Sequence, residues 1–519
     1  MNPDYLKSKF SKFQSLPFRP GQSRAIDWII NSPRKYNILC SPQGSGKSLI
    51  GMCAGAHYGK FLYLCSSKFL QAQIETFFPE AYLMKGRNNF TCNLIPKYTA
   101  AECIYSTHKK DCKEKLYCNY EVRKAEVLQA QYQILNYHYF LFESNYIGKF
   151  SDYDLILCDE ADTLEGILSS FISLKLSKRF IYDLHIKTPG RRTTKARDSI
   201  SSWTDWINDT LGKIIVQQKS LKTQSESTPD IDPEKLKLIK QINYLQNITT
   251  KLKLFKSNLD KTWLFDDSRG FEFKPTWLLP EFTQSYFFRH GAKFVFMSAT
   301  FPPKQIFAKQ LAIPSDEINT LELTESAFPS KNRPVILSPS ANMTYATYTE
   351  ELPKLLVAIK LILSTHKSDK GLIHTVSWKL NEAVMSIGSV RFITHDSHNK
   401  EERLEFFKAD TTPSVFVSPS SMRGLDLPDD LCRFTIITKF PYQSLKDKLV
   451  NSRVYSGSLG QSWFISDASQ ELIQACGRHI RHDRDYGITY ILDTQAVDKI
   501  LKHQEYFPQY FFKSLDLDD

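Results

Sequence analysis

The sequence predicts an α/β chain with two parallel-sheet domains, and three observations carry that expectation. Near the start, "YNILCSPQGSGKSLIGMCAGA" reads as a buried strand, a glycine-rich turn and a small-residue helix. Further on, "YDLILCDEADTLE" is an apolar strand closed by two carboxylates. From about residue 311, apolar strands alternate with helical segments, the strands being "GLIHTVS", "SVFVSPSS", "FTIITKFP" and "ITYILDT". At 519 residues the chain exceeds one hydrophobic core, so roughly two to four domains are expected.

The first element has the chemistry of a phosphate cradle. Gly44, Ser45 and Gly46 let backbone N–H groups converge on anionic oxygens, and the following helix presents its positive end. Lys47 is placed to reach the β- and γ-phosphates of ATP, and Ser48 to hold Mg²⁺. Ser41 stands where the pattern usually has its first glycine. A Gly/Ser turn that binds nothing is the bland alternative, and the strand–turn–helix context argues against it.

The second element completes the site. Asp159 is placed to hold Mg²⁺ through water, and Glu160 to orient or deprotonate the attacking water. Cys40, Cys65 and Cys158 lie at or near the ends of apolar runs and read as small core residues. A third strand ends in "FVFMSAT", where Ser298 and Thr300 offer hydroxyls. In "QELIQACGRHIRHDRDYG", Gln474, Arg478 and Arg481 share one helical face suited to a γ-phosphate whose charge grows during transfer. A solvated basic face is the competing reading of that helix.

Four cysteines, Cys92, Cys103, Cys112 and Cys118, fall in a segment without helical or strand period. The N-terminus has no apolar core resembling a signal peptide, and no run has the length of a membrane span, so a reducing cytoplasm is expected. Clustered thiols there point to metal ligation more than to disulfides. The gaps contain no C-x₂-C knuckle. Four thiolates are the usual ligands of a cubane cluster, while zinc and unligated thiols stay open. A formal charge of +11 favours a polyanionic partner.

With these residues in order, the chain resembles the superfamily 2 helicases, and among them the XPD/DinG-like iron–sulfur DNA helicases. "FRPGQSRAIDWI" looks like the adenine-reading Q motif, with Arg19 and Gln22, and "YLCSSKFLQAQI" like motif Ia. "LMKGRNNFTC" and "AQYQILNYHYFL" resemble the segments that enter and leave the iron–sulfur domain. "KGLIHTVS" looks like the start of the second motor domain, "SPSSMRGLDLPDD", with Gly424 and Asp426, like motif V, and "QACGRHIRHDRDYG" like motif VI. Two positions depart from the pattern: Asp162 replaces the usual histidine, and Arg423 an acidic or aromatic residue.

The resemblance implies two RecA-like motor domains with an iron–sulfur lobe and a helical arch inserted into the first. The boundaries read as 1–84, 136–165 and 271–310 for the first motor, 85–135 for the cluster lobe, 166–270 for the arch and 311–519 for the second motor. It implies that Cys92, Cys103, Cys112 and Cys118 hold a [4Fe–4S] cluster, and that a monomer moves 5′→3′ on single-stranded and forked DNA. A metal centre would stiffen a lobe too small to hold its own shape. Lys97, Lys109, Lys110, Lys113 and Lys115, interleaved with Tyr98, Tyr105, Tyr117 and Tyr120, could track phosphates and stack on bases; lysines in solvent over packing tyrosines are the alternative.

In the arch, "SISSWTDWINDTLGKII" and "DPEKLKLIKQINYLQNITTKLKLF" predict a helical pair. Leu238, Ile242, Leu245 and Leu252 form its seam, Asp232–Pro233 starts the second helix, and "KTQSESTPD" is expected to be a turn. The basic run "KTPGRRTTKAR" is expected to be solvated. Three other functions share these residues: a translocase that strips nucleoprotein, an ATP-gated redox-sensing binder, and a motor acting on RNA.

Overall fold

The structure, a computed structural model, describes residues 2–103, 112, 115–187, 200–230, 232–260, 262–326, 328–419, 427–477 and 484–516. Its strands in chain order begin with β1 (Tyr36–Cys40), β2 (Phe61–Cys65), β3 (Tyr82–Leu83), β4 (Tyr132–Asn136) and β5 (Tyr153–Asp159). Then follow β6 (Leu174–Ser177), β7 (Trp263–Asp266), β8 (Gly270–Pro275), β9 (Gly291–Ser298) and β10 (Ile318–Glu322). The second half contributes β11 (Val335–Ala341), β12 (Gly371–His374), β13 (Phe392–Thr394), β14 (Val415–Ser418), β15 (Phe434–Ile437), β16 (Ile488–Asp493) and β17 (Leu515–Asp516).

These strands make two parallel seven-stranded sheets, β10-β1-β9-β5-β2-β4-β3 and β13-β14-β12-β15-β16-β11-β17. The central strands are apolar on both faces because helices cover both, as the uninterrupted runs "LILC" and "FVFM" foreshadow. β1, β9 and β5 are neighbours in register, with Cys40 opposite Ser298 and Asp159 opposite Met297. The loops leaving these three strands therefore emerge side by side at one sheet edge, where open α/β sheets bind ligands. Behind that edge, Gly51 lets the helix Lys47–Gly55 lie directly on β5; a Cβ there would come within 2.4 Å of Leu157.

Two insertions leave the first sheet. Between β3 and β4 lies the cysteine segment, built of short 3₁₀ turns and the helix Asn119–Gln129. Between β5 and β9 lies a helical hairpin, Ile200–Ser227 against Pro233–Asn258, whose seam residues Leu238, Ile242, Leu245 and Leu252 are buried. The first helix continues through "KTQSES", where a turn was expected, because Leu221 and Ser225 still face the partner helix and are buried. The turn is confined to the residues before Asp232, whose carboxylate caps the second helix at Glu234 N, 2.8 Å away.

A three-stranded antiparallel sheet, β6-β8-β7, supports this hairpin and was not anticipated. Its alternating rings, Phe265, Phe271 and Phe273, pack on Trp203 and Trp206 of the first helix. Among the described residues, no helix is long and apolar enough to cross a membrane.

Candidate functional site: a phosphate loop facing the second lobe

The loop after β1 needs two left-handed residues, and both are glycine: Gly44 and Gly46 each have φ of 76°. A Cβ on Gly46 would sit 2.3 Å from Gln22 Nε2. Gln22 is buried beneath the loop with both ends of its amide engaged: Nε2 donates to Ser45 O (2.8 Å) and Oε1 accepts from Arg19 N (2.8 Å). Arg19 Nη1 donates to Gly44 O. In this arrangement the two residues expected to read adenine brace the phosphate loop. Ser45 is buried as well, with its hydroxyl on Ser41 Oγ at 3.1 Å.

Lys47 Nζ donates to the loop carbonyls of Ser41 (3.2 Å) and Pro42 (3.4 Å). Burial lowers its pKa, opposed chiefly by the Asp159 carboxylate and then by Cys40, Glu160 and Asp162. Such an ammonium gains from an anion that would replace two neutral carbonyls. Asp159 ends β5, nearly buried; its Oδ2 accepts the Tyr63 hydroxyl at 2.8 Å and its Oδ1 the Glu160 N–H at 3.0 Å. Burial raises its pKa, while the Tyr63 bond and Lys47 pull it back down. The Tyr63 hydroxyl also lies 3.4 Å from Ser48 Oγ, bringing the two expected Mg²⁺-holding residues to one phenol.

Glu160 occupies the left-handed region at φ 49°, ψ 44°, an uncommon place for glutamate, and its carboxylate accepts the Ser66 hydroxyl. Tyr137 OH donates to Asp159 O at 2.9 Å, tying the strand end to the helix Tyr137–Phe142. Sequence reading missed Tyr63, Ser66 and Tyr137. Tyr63 carries a usable signal, since a tyrosine in the otherwise aliphatic run "FLYLC" must find a partner when buried.

The second lobe closes over this edge with the helix Ser458–Cys476 and with Tyr510, whose hydroxyl donates to Ala299 O at 2.8 Å. Gln474 Nε2 donates to Asp162 Oδ2 (2.8 Å) and to Thr300 Oγ1 (3.1 Å), and Ser298 Oγ donates to Asp162 Oδ1 (2.7 Å). Asp162, the departure from the usual histidine, is thus shared between the two lobes. Arg423, Gly424, Asp426, Arg478 and Arg481 lie outside the described residues, as does most of the run "KTPGRRTTKAR". Below the helix, Arg453 pairs with Glu165 at 2.5 Å and lies between the rings of Trp277 and Trp463, 4.8 and 5.1 Å away. Arg453 Nε also donates to Thr276 O at 2.6 Å.

In the cysteine segment, the first and last thiols stand on strands of chain that are tied together. Asn93 Nδ2 donates to Tyr117 O at 2.5 Å, and Thr91 bridges Thr99. Cys92, Cys103, Cys112 and Cys118 are all half-buried and none is in a disulfide. Donor type and loop closure fit a thiolate-held centre. Among the described residues, however, no three His, Cys, Asp or Glu side chains form a ligand group.

The tyrosines there divide. Tyr117 is exposed, whereas Tyr98 and Tyr120 are buried and cannot stack on bases. Tyr98 packs on Ile239 of the helical hairpin and donates to Asp230 O at 2.9 Å. Tyr120 OH donates to Glu143 at 2.9 Å beside the buried Lys124–Glu143 pair. Of the other residues expected to meet nucleic acid, Lys97 and Lys115 are described, and Tyr105, Lys109, Lys110 and Lys113 are not. Cys65 and Cys158 are fully buried core residues; Cys40 is half-buried, its thiol 3.4 Å from Ala299 O.

Residues 364–514 match the family described as Helicase C-terminal domain. Two fruit-fly proteins named Regulator of telomere elongation helicase 1 homolog are similar over short stretches. That of Drosophila willistoni is 39% identical over 85 residues, 14% of this chain and 8% of its own; that of Drosophila sechellia is 35% identical over 109 residues, 18% and 11%. The matched stretch thus spans about a tenth of those relatives' length.

Among solved structures, one titled XPD_Helicase superposes with a TM-score of 0.64 at 16% identity, covering 96% of this chain and all of that one. The structure of S. tokodaii Xpd4 gives 0.59 at 14% identity, covering 94% and 98%. The matched family thus places a helicase C-terminal domain at residues 364–514. In fold the whole chain, two parallel sheets with an inserted helical hairpin, is similar to the structure titled XPD_Helicase.

Proposed function

We propose that the chain is an ATP-dependent DNA helicase that moves along single-stranded DNA and separates duplex at a cysteine-held lobe. The observation that carries this reading is the Ser298–Asp162–Gln474 chain of hydrogen bonds, which joins the edge bearing Lys47 and Asp159 directly to the second lobe. Triphosphate draws Lys47 off the Ser41 and Pro42 carbonyls, and Ser48 and Asp159 hold Mg²⁺. Glu160 orients the water for attack on the γ-phosphate, while Arg478 and Arg481 complete the charge from the other lobe. Asp162 reports the state of that edge to Gln474, so closure and opening of the lobes follow turnover. The 5′→3′ direction rests on the family resemblance.

Cys92, Cys103, Cys112 and Cys118 hold a [4Fe–4S] cluster in this reading; when bound, it supplies rigidity that so small a lobe cannot draw from its own core. The lobe meets the arch through Tyr98 and through Asn243, whose amide donates to Ala101 O at 3.0 Å.

Phosphate release measured with and without single-stranded DNA tests the motor. Stimulation by the strand is expected, with Lys47→Ala abolishing turnover but keeping strand binding; wild-type turnover in that variant overturns the site. Iron and sulfide analysis of anaerobically purified protein, with unwinding on 5′- and 3′-tailed duplexes, tests cluster and direction. Full unwinding by iron-free Cys112→Ser protein overturns the role of the lobe.

A further inference from the structure

A second concentration of charge lies away from the nucleotide edge, in a cleft of about 350 Å³ between the three-stranded sheet and the second lobe. One wall is Lys175 on β6 with the β7–β8 turn and β8; the other is the segment Lys446–Lys448. Three carboxylates line it, and each is committed. Asp266 accepts Ser268 N at 3.0 Å and pairs with Lys448 across the cleft at 3.0 Å; the Ser268 N–H foremost, and then Lys448, hold its carboxyl down at about 2. Glu272 lies 3.8 Å from Lys274. Asp447 caps the helix Lys448–Val454, accepting Leu449 N at 2.8 Å and Val450 N at 3.1 Å.

Three cations remain. Among the described residues, no ion pair or side-chain hydrogen bond engages Lys175, Arg269 or Lys446. They stand on both walls, one set carried by the first lobe's insertion and one by the second lobe. Among the described residues, the ring that lines the cleft, Phe271, is buried in the aromatic packing under the arch, so their surface offers cations and no stacking platform.

We infer that this cleft is a phosphate grip for the single strand, with Lys175, Arg269 and Lys446 contacting successive phosphodiesters without reading bases. The inference rests on the motor function proposed above and names where its strand is held. Because the walls belong to different lobes, relative motion of the lobes would act on a strand gripped there. Pure backbone contact makes the grip indifferent to sequence and sensitive to salt.

The test is fluorescence anisotropy of a labelled oligo-dT strand on the full chain over a salt series. Each lost phosphate contact lowers the slope of log affinity against log salt by about 0.7 for a single strand, so Lys175→Ala/Arg269→Ala/Lys446→Ala should lower it by about 2. Lys360→Ala/Lys367→Ala, two exposed cations on another helix and turn of the second lobe, should leave the slope unchanged. A melting temperature close to wild type establishes that the triple variant is folded. An unchanged slope in the folded triple variant overturns the grip while leaving the motor reading intact. Failure of the wild-type chain to bind oligo-dT overturns the motor reading and the grip with it. Displacement of the strand by poly-glutamate at equal charge concentration reassigns the cleft to an acidic protein and overturns it as well.

Discussion

Two aspartates end parallel strands, one in each sheet, and their neighbours give them opposite work. Asp159 closes β5 and Asp493 closes β16; both are buried, and burial raises the pKa of both. Asp493 accepts three backbone N–H groups, from Phe440 (2.8 Å), Met343 (3.1 Å) and Gln495 (3.2 Å), and so clamps three segments of the second lobe. Asp159 accepts a phenol and one N–H, faces the Lys47 ammonium, and shares that phenol with the Ser48 hydroxyl. A carboxylate surrounded by fixed amides is structural; one set beside a loop that needs an anion is available to a cation. Position at a strand end does not distinguish them. Their donors do.

Paired substitutions can break this contrast. Asp159→Asn should cost about 10³-fold in nucleotide turnover, the scale for removing a preorganised charge at a reacting centre, with little change in melting. Glu165→Gln should destabilise the contact between lobes by about 3 kcal/mol, read by denaturant melts, because Arg453 is left buried without its counter-charge. Asp493→Asn should destabilise the second lobe by about 2 kcal/mol, since an amide nitrogen cannot accept the clamping N–H groups, while turnover per folded molecule persists. If Asp493→Asn spared stability and abolished turnover, the distinction would be lost.

Two smaller effects sharpen it. Asp162→Asn keeps one acceptor of two, so turnover should fall about tenfold with nucleotide affinity kept, as expected for one weakened hydrogen bond at a junction between lobes. Tyr63→Phe removes a bond that favours the ionised form of Asp159. Its pKa should rise further, so Mg²⁺ binding should fail at a higher pH as the solution is acidified, by up to about one unit. An acid limb that stays in place, or moves down, contradicts the assigned hydrogen bond.

Much of the proposed nucleotide edge was legible in advance because its parts are local. A strand, two left-handed glycines and a lysine lie within a dozen consecutive residues, and an apolar run announces its terminal carboxylates. Arg19 and Gln22 were found as residues but not as braces, since their use depends on which carbonyls lie within reach after folding. Tyr98 and Tyr120 were read as candidates for base stacking, but Ile239 and Glu143, distant in sequence, cover them. The rings at Trp263, Phe265, Phe271 and Phe273 held an alternation that the neighbouring helical periods overshadowed, and the small sheet went unseen.

The sequence by itself determined the glycine turn after the first strand and the carboxylates that close β5, because turn geometry and strand burial are set by neighbours along the chain and by the period of apolar side chains. Only the tertiary structure decided which polar groups are committed and which are left for a ligand. Hydrogen bonds such as Gln474 to Asp162, and ion pairs such as Arg453 to Glu165, join residues hundreds of positions apart. No local pattern encodes such a pairing; it exists only once both sheets have packed and excluded water from between them.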